Sequence, residues 1–241
     1  MDGTTLTAPT AFFHTAGYLR VPGLLAMGQV ERLRDLASRI AAGSDHPHVR
    51  HTPEKTRIDQ VVSVDPAYLE TAASDRVLKA LTPVLGPNVE LVENRHNHLS
   101  IYRAPGTDRL HRDVLQWSRS LLTVLLYLSD CTDLAAATRV VPGSHLWPCL
   151  GEPNNGGTWL EEVTPYASLG EQAVAVPARA GDAVLLHGQL YHAGGGASGA
   201  GPRIVLTLAY RSVDELASEP PARCRLVRGQ RIHRGRGAPR A

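Results

Sequence analysis

From Val89 onward the chain is a succession of short apolar runs separated by Gly, Pro, Asp and Asn, and this texture limits the possible folds more than any other feature. The runs are Val89–Val92, Leu99–Tyr102, Leu121–Leu128, Arg139–Val141, Ala173–Val176, Ala183–Leu186 and Ile204–Tyr210. Their length and their Val, Leu and Ile content are those of strands. The first third reads differently. Phe12 to Leu25 gives a short helix, a stop at Gly17 and a strand-like Tyr18–Val21, with residues 1–9 a loose arm. Ala26 to Ala42 carries Val30, Leu33, Leu36, Ala37 and Ile40 at helical spacing, and Gly43 ends it. Residues 44–57 are polar, hold two prolines and read as loop; Pro66 to Leu85 gives one or two helices closed by Gly86-Pro87. Helices first and many strands after imply an α+β chain whose second half is a β-sandwich or barrel.

Composition narrows the function. The 241 residues fall between one domain and two. Residues 1–222 hold 18 basic against 23 acidic side chains, a net −5, and residues 223–241 hold seven Arg and no acid. A mildly acidic body argues against nucleic-acid binding through bulk charge. The basic tail reads as a loosely packed terminus suited to an acidic partner or to a second subunit of a homodimer. The longest apolar run, Leu121–Leu128, is far short of the roughly 20 residues of a membrane span. No basic segment followed by an apolar one opens the chain, and Cys131, Cys149 and Cys224 fit neither a disulfide framework nor a CxxC site, so the expected compartment is the cytoplasm.

Three elements carry chemistry. In His111-Arg112-Asp113, read as strand, an imidazole and a carboxylate share one face and Arg112 points the other way. Gly181-Asp182 feeds the apolar run Ala183–Leu186, which leads to His187 and His192. If His192 reaches the point shared by His111 and Asp113, the three make a 2-His-1-carboxylate face of the kind that suits Fe(II) and leaves coordination positions open. Arg203, eleven residues past His192, opens the last strong strand and offers a fixed fork for a carboxylate.

The ordered set resembles the phytanoyl-CoA dioxygenase family of Fe(II)/2-oxoglutarate oxygenases. The residues that carry the resemblance are His111-Arg112-Asp113, Val140-Val141-Pro142-Gly143-Ser144-His145, Gly181-Asp182, His187 with His192, and Arg203, together with the opening segment Phe13–Leu25. The similarity spans about residues 12–212. It implies one domain over 1–222 with a double-stranded β-helix (jelly-roll) core at about 89–212, flanking N-terminal helices and the tail 223–241. It also implies that His111, Asp113 and His192 hold Fe(II), and that Arg203 binds the distal carboxylate of 2-oxoglutarate. O2 is then the oxidant, and succinate and CO2 accompany oxidation of a substrate C–H. Asp113 favours hydroxylation over halogenation, since related halogenases lack that carboxylate. His187 is not expected to bind metal, and His145 reads as a structural turn residue.

The chain departs from the family where a Ser and an Asn commonly follow the distal histidine, for it has Gly194 and Ala197 there. The missing cosubstrate contact then falls to Thr123, Ser198 or Thr207. The segment Asn94–His98 reads as a polar strand, with Asn97 or Asn94 as a cosubstrate contact and His96 as a substrate contact. Trp117 and Arg119 follow the H-x-D closely and are placed on the pocket wall; residues 46–57 would form a lid suited to an anionic or polar substrate, and the glycine-rich stretch 194–201 a flexible loop at the mouth. The expected substrate is a small polar metabolite, an amino acid or natural-product intermediate. Two other readings stay open here: a zinc hydrolase using the same triad, which leaves Arg203 without a role, and a metal-binding jelly roll that has lost catalysis.

Overall fold

The computed structural model describes residues 7–43, 46–106, 109–113, 121–147, 167–198, 201–213 and 223–230. Five helices come first among interspersed strands: α1 (Ala8–Ala16), β1 (Tyr18–Val21), α2 (Met27–Ala42), β2 (Val49–His51), β3 (Lys55–Asp59), α3 (Val61–Val64), α4 (Pro66–Ala72) and α5 (Asp75–Leu85). The rest is strand: β4 (Val89–Val92), β5 (His98–Tyr102), β6 (Leu122–Tyr127), β7 (Thr138–Val140), β8 (Val174–Val176), β9 (Ala183–His187), β10 (His192–Ala193), β11 (Arg203–Ser212) and β12 (Cys224–Arg228). Gly17 ends α1 with φ of 81° and donates its N–H to the Phe13 carbonyl, the left-handed cap a glycine provides without strain. Asp65 and Ser74 accept hydrogen bonds from Ala67 and Val77 and so start α4 and α5.

Nine strands form the large antiparallel sheet, ordered β1-β9-β6-β11-β5-β3-β2, with β4 pairing both β11 and β12. The small sheet is β10-β7-β8, and a bridge from His111 to His192 adds the H-x-D segment to its edge. All six residues of β6 are buried, yet they divide by strand periodicity. Leu122, Val124 and Leu126 pack with Val30, Leu33 and Leu81 on the helix side, while Leu125 and Tyr127 pack with Val140, Val176 and Leu186 between the sheets. In β11, Ile204, Leu206 and Leu208 face the helices, and Arg203, Val205 and Thr207 line a cavity between the sheets. This two-layer antiparallel core is the jelly roll.

Two expectations are corrected. The polar stretch 44–57 is not all loop: β2 and β3 form a hairpin, and β3 pairs β5 from Lys55↔Tyr102 to Asp59↔His98. Its alternation is real but inverted in polarity, because Thr56 and Ile58 are buried behind the sheet while Lys55 and Arg57 line the cavity. The basic tail is not loose throughout either. Residues 224–228 extend the sheet as β12, and Arg225 pairs with Glu93 at 2.5 Å. No helix among the described residues is long and apolar enough to cross a membrane.

Candidate functional site

The turn Val141–His145 fastens both halves of the site. Gly143 takes φ of 78°, and its N–H donates to the Ala16 carbonyl. Ser144 Oγ accepts the Tyr191 N–H at 2.9 Å, one residue before His192. Arg112, expected merely to face away from the site, is 2% exposed, donates to the Ser144 carbonyl at 2.7 Å and lies over the Tyr191 ring at 4.3 Å. One turn thus sets the register between the H-x-D and the distal histidine. His145 Nε2 donates to the His14 carbonyl at 3.0 Å, tying in α1, so its place in the fold is structural.

His111, Asp113 and His192 converge: one ligand atom from each lies within 4.8 Å of the others. The Nε2 atoms of His111 and His192 stand 3.8 and 3.6 Å from Asp113 Oδ1. Each Nδ1 sits 2.9 Å from a backbone carbonyl, Arg109 for His111 and Leu190 for His192, a contact only an N–H makes well. The proton is therefore on Nδ1, and Nε2 faces the shared point as a metal-binding imidazole requires. Burial opposes ionisation of Asp113. His96 and His192 beside it, with hydrogen bonds from His96 and Thr123, outweigh burial and hold the carboxyl well below the usual range. Burial also lowers the pKa of His192, more than the facing Asp113 raises it, so the ring is neutral at pH 7.

Both carboxylate oxygens have partners. Thr123 donates to Oδ2 at 2.6 Å, and His96 Nε2 lies 3.1 Å from Oδ1. His96 holds φ of 46°, a left-handed backbone rare for a residue with a side chain. The Asn94–Asn97 stretch is a turn, not the expected strand, and that changes which residues reach the site. His96 lines the cavity, but its closest contact is Asp113. Asn97, expected on the cosubstrate, accepts the Val62 N–H and donates to the Glu93 carbonyl, so its amide is engaged with backbone and it is not among the residues lining the cavity beside the triad; Asn94 is exposed on the turn. Trp117 and Arg119 lie outside the described residues.

A cavity of about 150 Å³ opens beside the triad. Arg203, 4% exposed, lines it, donating to the Gly195 carbonyl at 2.8 Å and to Thr138 Oγ1 at 3.0 Å. No carboxylate pairs with it among the described residues, and its Nε has no partner. A buried guanidinium that no acid neutralises among the described residues is costly. Lys55 Nζ donates to Tyr102 OH at 3.1 Å, and the guanidinium of Arg203 lies 5.0 Å from the same ring, so two cations flank Tyr102. Thr207 lines the cavity, while Ser198 lies at a separate groove. The glycine-rich stretch is packed rather than loose where described: a Cβ on Gly195 would collide with the Ala136 carbonyl, and one on Gly196 with backbone at Ala104 and Gly106. Sequence reading missed Lys55, Arg57, His98, Ser100, Tyr102 and Thr138 as lining residues. The polar alternation of His98, Ser100 and Tyr102 was the available signal.

A profile of the phytanoyl-CoA dioxygenase family matches residues 13–205. The chain belongs to that family. Its members are Fe(II)/2-oxoglutarate-dependent dioxygenases, and this chain brings two imidazoles and one carboxylate together in its jelly roll. Among curated relatives, dioxygenase FUM3 of Gibberella moniliformis is 23% identical over 223 residues, covering 81% of this chain and 68% of that protein. The iron/alpha-ketoglutarate-dependent dioxygenase ausU of Aspergillus calidoustus is 31% identical over 102 residues, 42% of this chain and 29% of that protein. Among solved structures, the epimerase SnoN in complex with Fe3+, alpha-ketoglutarate and nogalamycin RO superposes with a TM-score of 0.78 at 20% identity, covering 92% of this chain and 98% of that one.

Proposed function

We propose that this dioxygenase hydroxylates a small polar metabolite, an amino acid or natural-product intermediate, in the cytoplasm. His111, Asp113 and His192 would hold the iron, and Arg203, with Lys55, the distal carboxylate of 2-oxoglutarate. The observation that carries the reading is the shared cavity: it is lined by three convergent ligand groups and by a buried guanidinium with no acid to pair it among the described residues. A zinc hydrolase would leave that guanidinium unused. When bound, iron and 2-oxoglutarate supply the chemistry by which O2 oxidises a substrate C–H, with succinate and CO2 as co-products.

The protein's own part is positional. Leu190 and Arg109 carbonyls fix the two imidazole tautomers; Thr123 and His96 orient the Asp113 carboxylate. Leu125 and Val205 on the cavity wall shed water from the reacting centre. SnoN is described as an epimerase; the carboxylate at Asp113 speaks against halogenation, and among the C–H oxidations that the same triad serves we propose hydroxylation. The test is purified protein with Fe(II), 2-oxoglutarate and a library of amino acids and natural-product intermediates. Succinate release matched by a product 16 mass units heavier than one library member supports the reading. Turnover that is independent of 2-oxoglutarate, or an unoxidised rearranged product, counts against it.

A further inference from the structure

The cavity carries more positive charge than iron and 2-oxoglutarate account for. Lys55, Arg57 and Arg203 line it, against the single carboxylate of Asp113. Fe(II) adds two positive charges and 2-oxoglutarate removes two, so the excess persists with both bound. Lys55 and Arg203 flank Tyr102 and belong together. Arg57 stands apart. It sits two residues along β3, opposite Ser100 in register, one pleat repeat or about 6.6 Å from the Lys55–Tyr102 pair.

Three observations mark this second wall. Arg57 Nε donates to Asp59 Oδ1 at 2.6 Å, but Asp59 is shared with Arg50 at 2.9 Å, so two guanidiniums stand over one acid. The terminal nitrogens of Arg57 meet no partner among the described residues. Ser100 Oγ and His98 Nδ1, 2% and 8% exposed as residues, belong to residues lining the same cavity and have no hydrogen-bond partner among the described residues. Buried polar atoms are almost always satisfied, and orphans that line a cavity mark where a polar ligand group sits.

We propose that Arg57, Ser100 and His98 bind an anionic group of the organic substrate, foremost a carboxylate. The planar guanidinium fork matches a carboxylate in two parallel hydrogen bonds, and the Ser100 hydroxyl adds a third donor. This rests on the oxygenase reading above and names the chemical class of its substrate.

The test uses full-length protein loaded with Ni(II), which is inert to turnover, and saturating 2-oxoglutarate. Matched probes, benzoate against benzamide and hexanoate against hexanamide, are titrated by calorimetry into wild type, Arg57→Gln, Arg57→Lys and Ser100→Ala. The acids should bind at least about tenfold tighter than their amides to wild type, about 1.4 kcal/mol. Arg57→Gln should erase that preference, Arg57→Lys keep part of it, and Ser100→Ala reduce it less than Arg57→Gln. Thermal melts confirm that each variant is folded; Arg57 is half-exposed on its strand, so its replacement leaves the core intact. Equal affinity for acid and amide, or a preference that survives Arg57→Gln, overturns the proposal. So does a tenfold loss of 2-oxoglutarate affinity in Arg57→Gln, which would give Arg57 to the cosubstrate. If the wild type fails to bind 2-oxoglutarate at all, the oxygenase reading falls instead. The acid preference, measured on the Ni(II) protein alone, then decides the anion site by itself.

Discussion

Replacing Thr123 with Val tests whether the orientation of Asp113 matters to metal binding. The change is nearly isosteric and leaves no cavity: Thr123 is 1% exposed, and a methyl takes the place of the hydroxyl that donates to Asp113 Oδ2 at 2.6 Å. A hydrogen bond to a buried charge contributes about 1.5–3 kcal/mol. Without it, Oδ2 is left without a donor, and His96 alone positions the carboxylate through Oδ1. Loss of a partner that orients a metal ligand typically costs about 10–100-fold in metal affinity. The apo protein should lose about 1–3 kcal/mol of stability for the unsatisfied oxygen. Anaerobic calorimetry with Fe(II), or aerobic titration with Co(II), reads the affinity, and urea denaturation of the apo protein reads the stability. Thr123→Ser, which keeps the donor, should recover most of both. Metal affinity unchanged within about twofold in Thr123→Val, with stability also unchanged, would show that the carboxylate needs no such support.

Other predictions follow from the same geometry. Ser144→Ala removes the acceptor of the buried Tyr191 N–H and should cost about 1–3 kcal/mol of stability, with weaker metal binding because the neighbouring His192 loses its register; denaturation and metal titration check both. Gly195→Ala places a Cβ against the Ala136 carbonyl on the very residue whose own carbonyl accepts from Arg203, so 2-oxoglutarate affinity should fall more than metal affinity, as separate calorimetric titrations would show. Burial, then the charges of His145, His14 and Arg112, lower the His187 pKa to about 4. The unfolded chain therefore binds this proton first, and stability should fall as pH drops from about 6.5 towards 4, by up to about 3 kcal/mol from this group. His187→Gln should flatten that part of the profile in denaturation series at stepped pH; an unchanged slope refutes the assignment. Asp182, whose carboxyl burial would raise but whose backbone donors at Arg179 and Gly23 and whose partner Arg20 hold low, contributes stability above its unfolded pKa that disappears in strong acid. Asp182→Asn should lower stability at neutral pH and narrow the gap to wild type near pH 2.

The strands of the core were legible because each apolar run is bounded by turn residues, and the order of H-x-D, turn, Gly-Asp, histidine and arginine survives without any coordinates. Side-chain roles were less so. The hairpin at β2–β3 was hidden because its cavity face is charged and its hidden face holds a threonine, so hydropathy alone sees only a polar stretch. The place of Asn97 is not legible in the sequence, because a turn at Asn94–Asn97, with His96 left-handed, breaks the strand alternation. Arg112 looks like a spacer in sequence and proves to be a buried clamp, since its carbonyl partners at Ser144 and Trp147 lie more than thirty residues away. Long-range backbone contacts of that kind leave no local trace. Residues 224–228 look like tail in sequence because a five-residue strand with two exposed positions carries little apolar signal.

The most direct measurement is the visible spectrum of the protein mixed anaerobically with Fe(II) and 2-oxoglutarate. A weak metal-to-ligand charge-transfer band is expected for wild type, lost in His192→Ala, and in Arg203→Ala reached only at 2-oxoglutarate concentrations raised by roughly thirtyfold or more, as truncating one member of a buried charge pair requires. A band that persists at wild-type concentrations in both variants, or that never forms in the wild type, contradicts the assignment of the triad and the guanidinium to one iron–cosubstrate site.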